Sequence, residues 1–572
     1  MKVIDLRVDS KLIKTNFDGY KLSLKPIAIL KIENINKVHR RIANSSSEYG
    51  FLHSYLFQLH NHFYGDPFLC NTSYYIDETY NVNKISYDSN SGKLKPLTSV
   101  YKFKSIQNDE IEGKYNMKLK FVSEKYCLLS DGIGGLQIID TGDRQKNDEW
   151  KKIDSLQPLF EGKGFILQDC KFKIESGEKV IHCLLLYIKQ EDDKFYNFVN
   201  WITLKEESST KKWTCVAKRI LKGKGTLYYL SFDPHCNAIV YSSNHAYKYI
   251  EDNVNEIVEE QSMEITENEE MQAADSHTFQ WTQNGEDITI NFNRIPDATN
   301  DMYHVKSLQS HIEVRCGQQI LVKSDLFAEI DVDLTTWTLE NDFIQVNLIK
   351  RNPDLIWPYL IPSGPMETSQ NNSNQPMNLF NTQPVADLNS QMEECDFGDD
   401  GNQDDEYFIE RLDSVTHKAT HKIFLGSNHP LFSKTLRPGF PKAIAIRNDV
   451  DCCLWIQQQI SPNDEWTLKH EGTLHAFGYV QASKRDKKYL MCSMDMNLSV
   501  ICESSRHLFI YKNSYSTASG LRKRNGPQVQ IGQQKVISFD DVGEIYGINV
   551  ENEIIMLLTE NSIMCLQLAE EE

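Results

Sequence analysis

Two kinds of apolar pattern share this chain. In its middle, apolar and polar residues alternate strictly, as in Asp287-Ile288-Thr289-Ile290-Asn291-Phe292 and Phe343-Ile344-Gln345-Val346-Asn347-Leu348. Successive side chains of a strand point to opposite faces, so each run predicts a strand with one dry and one wet face. Six or seven such runs lie between Phe279 and Tyr359, split at Asn284-Gly285, Cys316-Gly317 and Asn341-Asp342. They predict a small antiparallel sandwich, for which roughly 80 to 90 residues suffice.

Elsewhere a longer unit recurs: an apolar strand, a polar turn, then a second strand. It reads SYYIDETYNVNKISYD near Asp77, CLLSDGIGGLQII around Asp131, LLLYIKQEDDKFYNFV around Asp192 and AIVYSSNHAYKYI around Ser243. It returns as AIAIRNDVDCCLWI around Asn448, SVICESSRHLFIY around Ser504 and IIMLLTENSIMCLQL around Glu560. The turns fall about 50 to 60 residues apart, a spacing typical of four-stranded blades. Between Ser243 and Asn448 the gap is far longer, but removing residues 261–405 restores an ordinary interval.

The repeat count is therefore seven, interrupted once. One blade cannot bury both faces of its sheet, whereas neighbours packed in a ring can. The expected fold is all-β: a discontinuous seven-bladed β-propeller with an antiparallel sandwich inserted in it. Two stacked sandwiches or an open solenoid fit the same alternation, because the blades lack a Gly-His and Trp-Asp signature. The strands at Val3-Ile4-Asp5-Leu6 and Tyr20-Lys21-Leu22-Ser23-Leu24 are expected to complete the last blade.

Boundaries follow from composition. Residues 1–260 form the first part of the propeller, 261–274 an acidic tether, 275–361 the sandwich, 362–406 a linker and 407–572 the remainder. Glu251 to Glu270 is acidic and weakly apolar, and reads as a tether or a loosely held helix. Ser363 to Glu406 contains no Lys or Arg and is rich in Asn, Gln, Ser, Pro and Asp. Such a segment cannot bury enough apolar surface to offset its ordering entropy, so disorder is predicted. Leu379-Phe380 within it is a candidate docking motif.

The sandwich segment resembles the CS domain, shared by co-chaperones and the NudC proteins. The resemblance is carried by Phe279 and Trp281, Asp287-Ile288-Thr289-Ile290, Trp337-Thr338-Leu339, Asn347-Leu348-Ile349-Lys350 and Trp357. Many members have a glycine in the turn before the Trp337 strand, where this chain has Lys323-Ser324-Asp325. The NudC family implies cooperation with the ninety-kilodalton heat-shock chaperone and handling of client proteins, often β-propellers. Trp337 is expected in the core. Trp281, near its strand's edge, and the trio Trp357-Pro358-Tyr359 beyond the last strand are candidates either for core packing or for partner binding. Aromatic side chains are the usual anchors of protein interfaces.

Composition narrows the function further. The 572 residues carry a formal charge of −19, which argues against direct nucleic-acid binding. The basic runs Lys484-Arg485-Asp486-Lys487-Lys488 and Arg522-Lys523-Arg524 read as solvated loops. Thirteen cysteines are scattered through mostly apolar runs, as reduced buried thiols are. No signal sequence or run long enough to span a bilayer is evident, so the expected compartment is cytoplasm and nucleus, without membrane insertion.

Chemistry is sparse. Gly132-Ile133-Gly134-Gly135 and Gly223-Lys224-Gly225 do not make a phosphate loop. Asp396-Phe397-Gly398 lacks the companions of a kinase magnesium site. His53, His60 and His62 read as surface histidines, and the adjacent Cys452 and Cys453 should point apart. No cofactor, metal or catalytic set is therefore expected, and the chain reads as a non-enzymatic interaction protein with protein partners, including a heat-shock chaperone and propeller-type clients. The alternative is a scaffold or adaptor subunit of a nuclear or vesicle-coat complex, with specificity in the propeller and no chaperone role. A hydrolase in the propeller channel is a third class, and it would need converging carboxylates or histidines there.

Overall fold

The computed structural model describes residues 1–40, 51–104, 114–156, 164–191, 194–257, 279–295, 302–309, 311–317, 319–339, 343–353, 355, 357, 360–361, 406–522, 528–539 and 542–568. They belong to two compact units, Met1–Ile257 with Met392–Glu572, and Val258–Gln391. The tether at 261–274, residues 362–405 of the linker, Leu379-Phe380 and Asp396-Phe397-Gly398 lie outside the described residues.

The first unit holds seven sheets among its described residues. The first contains Tyr64–Gly65, Thr72–Ile76, Asn81–Asp88 and Thr98–Lys102, and the second runs from Lys118–Phe121 through Lys151–Leu156. Ile166–Glu175, Glu178–Glu191, Lys194–Glu206 and Trp213–Gly223 build the third. Tyr229–Phe232, Ala238–Ser243, Tyr407–Asp413 and Ala419–Gly426 build the fourth. Phe432–Lys434 to Thr467–Leu474 form the fifth, Lys487–Cys492 to Gln528–Ser538 the sixth. Ile545–Val550, Ile554–Thr559 and Ser562–Gln567 take Ala28–Glu33 as their outer strand in the seventh.

Closure is visible in the packing. Each sheet shares one hydrophobic core with the next in sequence, from the first and second through to the sixth and seventh. A further core joins the seventh to the first, with Tyr546, Met556 and Cys565 against Phe63, Tyr75 and Ile85. An open row of sheets would have one core fewer than sheets. Here the numbers match, so the row is a ring and the solenoid alternative falls.

This also explains the run-like pattern of the repeats. A middle strand of a blade is covered on both faces, and all six residues of Ile554–Thr559 are buried. Cys452 and Cys453 show the same thing in miniature: one packs between the fifth and sixth sheets, the other between the fourth and fifth.

Six of the seven recurring units are hairpins at the expected turns. The seventh is not. Lys248–Asp252, which follows Ser243, pairs with the outer edge of the third sheet, Lys222 opposite Lys248. Ala238–Ser243 pairs instead with Tyr407–Asp413, Ser243 opposite Phe408 and Ala238 opposite Asp413. The insertion therefore interrupts a hairpin within one blade, and strands from its two sides are hydrogen-bonded neighbours. It also replaces the expected tether at Glu251 and Asp252 with strand.

Closure at the amino terminus differs too. The strand that completes the seventh sheet is Ala28–Glu33. Lys2–Val3 runs parallel to the edge of the fourth sheet, and Phe17–Leu22 parallel to that of the sixth. Both are added outer strands, so neither completes the last blade. Lys487 and Lys488 likewise belong to a strand and not to a loop.

The turns demand few special residues. At Gly132, φ is +76°, and a Cβ would lie 2.0 Å from the Tyr115 carbonyl oxygen. The Asp131 carboxylate accepts from the Ile133 and Gly135 amides at 2.9 and 2.8 Å, fixing that turn.

Chain continuity around the insertion yields a prediction. Asn255 Nδ2 donates to the Ser414 carbonyl at 3.2 Å, and Ile257 packs on the core that holds Phe408. The two ends of the ring segment thus meet on ordered structure. Replacing residues 258–405 with a short Gly-Ser linker should leave a single urea transition, with stability altered by no more than about 2 kcal/mol. Separate transitions for the two remaining segments would show that they do not share one blade.

Candidate protein-interaction surface

The second unit is a sandwich. Phe279–Gln283, Asp287–Asn293, Phe343–Lys350 and Ile330–Leu339 make one sheet, and Tyr303–Leu308, His311–Cys316 and Gln319–Asp325 the other. The strand-separating turns at Asn284-Gly285 and Cys316-Gly317 fall where the sequence places them. Lys323-Ser324-Asp325 does not form the turn before the Trp337 strand, since Ser324 pairs with Ile312 inside a strand. Inward residues such as Ile288, Ile290, Ile312, Val314, Ile344, Val346 and Leu348 build one core, with Trp337 packed against it.

The proposed anchors are placed plainly. Trp281 is 0% exposed and Trp357 1%, and both belong to that core. Gln283 clamps Trp357 in place: its amide donates to the Trp357 carbonyl at 2.7 Å and its oxygen accepts from the Trp357 N–H at 2.9 Å. Lys350, in the dry register of its strand, donates to Gln283 Oε1 and to the carbonyls of Asn284 and Leu355 at 2.8, 3.0 and 3.0 Å. Of the two alternatives, burial places both indoles in the packing one, because a ring covered on all sides offers no surface. Pro358 and Tyr359 lie outside the described residues.

What the sandwich does present differs between its sheets. On the outward face of the four-stranded sheet, Gln280, Asn291, Gln345 and Thr338 stand in one cross-strand row, and Thr282, Thr289, Asn347 and Thr336 in the next. These two rows are uncharged amides and hydroxyl groups, and the row beyond them holds Asp287 and Asp331. The Asn291 Oδ1 acceptor is covered by its neighbours and without a partner among the described residues. The three-stranded sheet instead turns outward the ionisable side chains of His304, Lys306, Arg315 and Lys323. A neutral polar face binds through hydrogen bonds and shape with little charge to desolvate. The alternation already marked these positions as wet; their lack of charge is the signal the sequence reading passed over.

The ring has features of its own. The helix Phe51–Gln58 buries His53, whose ring meets Phe195 edge-on with centroids 5.2 Å apart. A cleft of about 250 Å³ lies between Phe51, Leu52, Phe195, Lys224 and the Asn244-His245 turn. His60 and His62 are buried as well, with ring centroids 4.6 Å apart. Burial, and then the nearby charges of Lys118 and Lys488, hold His62 at about 3. The three histidines are thus interior groups and not surface ones, because the apolar residues between them pack the helix and its exit onto the ring. Among the described residues, no group of three or more His, Cys, Asp or Glu side chains is placed to hold a metal. No described helix is long and apolar enough to cross a membrane.

The chain leaving the ring is also fixed. Arg219 Nε and His417 Nε2 lie 3.0 and 2.9 Å from Asp252 Oδ2. Burial alone would raise the Asp252 pKa, but the His417 bond, the Val254 amide and the Arg219 charge outweigh it and hold it low.

Residues 277–350 match the family model of the CS domain. The inserted unit is a CS domain. Around this CS domain the likeness to known proteins extends across nearly the whole chain. NudC domain-containing protein 1 of Mus musculus is 27% identical over 98% of this chain and 98% of its own. The protein of that name from Xenopus tropicalis is 27% identical with the same coverage. Among solved structures, the Cps50 (Swd1) β-propeller domain is similar at 7% identity, with 87% of this chain and 93% of that one covered and a TM-score of 0.29. The ring assignment itself stands on the sheets and cores described above. CS domains and propellers are protein-interaction modules.

Proposed function

We propose that this chain is a non-enzymatic, co-chaperone-like protein of the cytoplasm and nucleus. Its CS domain engages the ninety-kilodalton heat-shock chaperone, and its propeller holds client proteins. The observation that carries this reading is a CS domain inserted in the sequence of a closed ring, with two uncharged rows of Thr, Asn and Gln turned outward. Two binding modules on one chain raise the effective concentration of either partner at the other site.

The test uses the full chain with Thr282→Glu and Thr336→Glu, two exposed positions on the neutral face. Neither side chain enters the core, so folding should be kept. Capture of the purified chaperone is expected to fall by about tenfold or more, as two charges are desolvated against a polar face. Undiminished capture would remove the neutral face from the mechanism. If the parent chain fails to bind the chaperone at all, the adaptor reading with specificity in the propeller takes its place. The cleft beside the helix Phe51–Gln58 is where that partner would be sought.

A further inference from the structure

Ammonium groups gather at the centre of the ring. The first strands of neighbouring sheets approach one another and so line the inside. On Lys118–Phe121, Leu119 and Phe121 enter the core shared with the first sheet, which leaves Lys118 and Lys120 on the other side. Lys171 comes from the first strand of the third sheet, and Lys442 from the turn leaving the first strand of the fifth.

The second and fifth sheets are not neighbours, yet the Lys120 charge is the strongest influence on Lys442. Only the central channel brings the two near each other. Lys171 crosses the same gap, its ammonium donating to the Gly439 carbonyl of the fifth-sheet turn at 2.8 Å. Asp169 is the carboxylate that acts on both Lys171 and Lys442. Its Oδ2 is already engaged by Ser231 Oγ at 2.7 Å and by the Phe232 amide at 3.2 Å.

Lys171, Lys442 and Lys120 thus act on one carboxylate, Asp169, and Lys118 stands over the Tyr64 ring with its Nζ 5.3 Å from the centroid, in a chain whose overall charge is −19. The repulsion is felt. The Lys120 charge first, and burial second, bring Lys442 down to about 7. Burial, then Lys120 and Lys442, push Lys118 well below its ordinary value. Composition does not account for such a cluster, and stability is not served by it.

We propose that the central channel binds a small phosphoryl-bearing anion through Lys118, Lys120, Lys171 and Lys442. Phosphoryl oxygens spread tetrahedrally and can accept from ammonium groups that arrive from three different sheets. Lysine stems are flexible enough to part around such a group. A channel narrow enough for the Lys171 side chain to reach Gly439 across it favours a small ligand over a polypeptide.

The probe is inorganic pyrophosphate, titrated calorimetrically into the full chain, with sodium chloride at matched ionic strength as the control. Saturable binding of one pyrophosphate per chain is expected. Lys442→Met and Lys120→Met should each weaken it by about tenfold or more, since each removes a charge-assisted hydrogen bond. Arg485→Met, on the exposed surface, should leave it unchanged. Without ligand, Lys442→Met should melt no lower than the parent, because it relieves a repulsion; this separates lost binding from lost folding. Absence of saturable heat, equal stabilisation by sodium chloride, or unchanged binding in the Lys120 and Lys442 variants would overturn the proposal.

Discussion

Arg144→Met should cost the ring about 3–5 kcal/mol, because it strands a carboxylate in the interior. Asp66 leaves the inner strand of the first sheet and its side chain is 0% exposed; Arg144 follows the third strand of the second. The guanidinium meets Asp66 with two bonds, Nε to Oδ2 at 2.6 Å and Nη2 to Oδ1 at 3.1 Å. Its other end donates to the Ser123 carbonyl and to Thr141 Oγ1, and the group lies 4.7 Å from the Phe121 ring centroid. Every donor on this side is spent inside the protein. Urea denaturation should show a lower midpoint with an unchanged slope. Arg144→Met combined with Asp66→Leu should recover at least half of the loss, since a matched apolar pair leaves no buried charge. A single variant as stable as the parent would mean that water reaches Asp66.

Trp357→Ala should cost the CS domain a similar amount, about 3–5 kcal/mol, by emptying the largest volume at the end of its core. The indole packs near Phe327, with ring centroids 5.8 Å apart, and Gln283 holds its backbone as a strand partner would. The effect should be confined to this unit, which has a core of its own. Hydrogen exchange is the right measurement: protection within 279–361 should fall, while strands such as Ile554–Thr559 keep theirs. Protection lost equally in both units would show that the cores are coupled. Gln283→Ala should produce a smaller loss of the same kind, about 1–2 kcal/mol, as three part-buried hydrogen bonds go.

Much of this architecture was legible. Strict alternation marked the sandwich strands because each has one wet face. Near-continuous apolar runs marked the blades because a ring covers both faces. The burial of His60 and His62 was not legible, since histidine suits either environment and the decision belongs to the helix that packs beside them. Nor could the sequence separate a structural from an exposed tryptophan at position 357. That depended on a glutamine some seventy residues away, Gln283.

The hairpin at Ser243 shows the division most clearly. Read locally, Lys248–Asp252 is the natural partner of Ala238–Ser243, being next in line after a short polar turn. Yet that strand has one buried residue, Tyr249, and suits an outer edge, whereas the central five residues of Tyr407–Asp413 are all buried. The sequence by itself determined most of the strands, their period and the fact that the repeats are interrupted once, because these rest on the alternation of neighbouring side chains. Only the tertiary structure decided which strand joins which sheet, how the amino terminus closes the ring, and which lysines meet in the channel. Those depend on burial by residues far apart in the chain, and local pattern carries no record of distance.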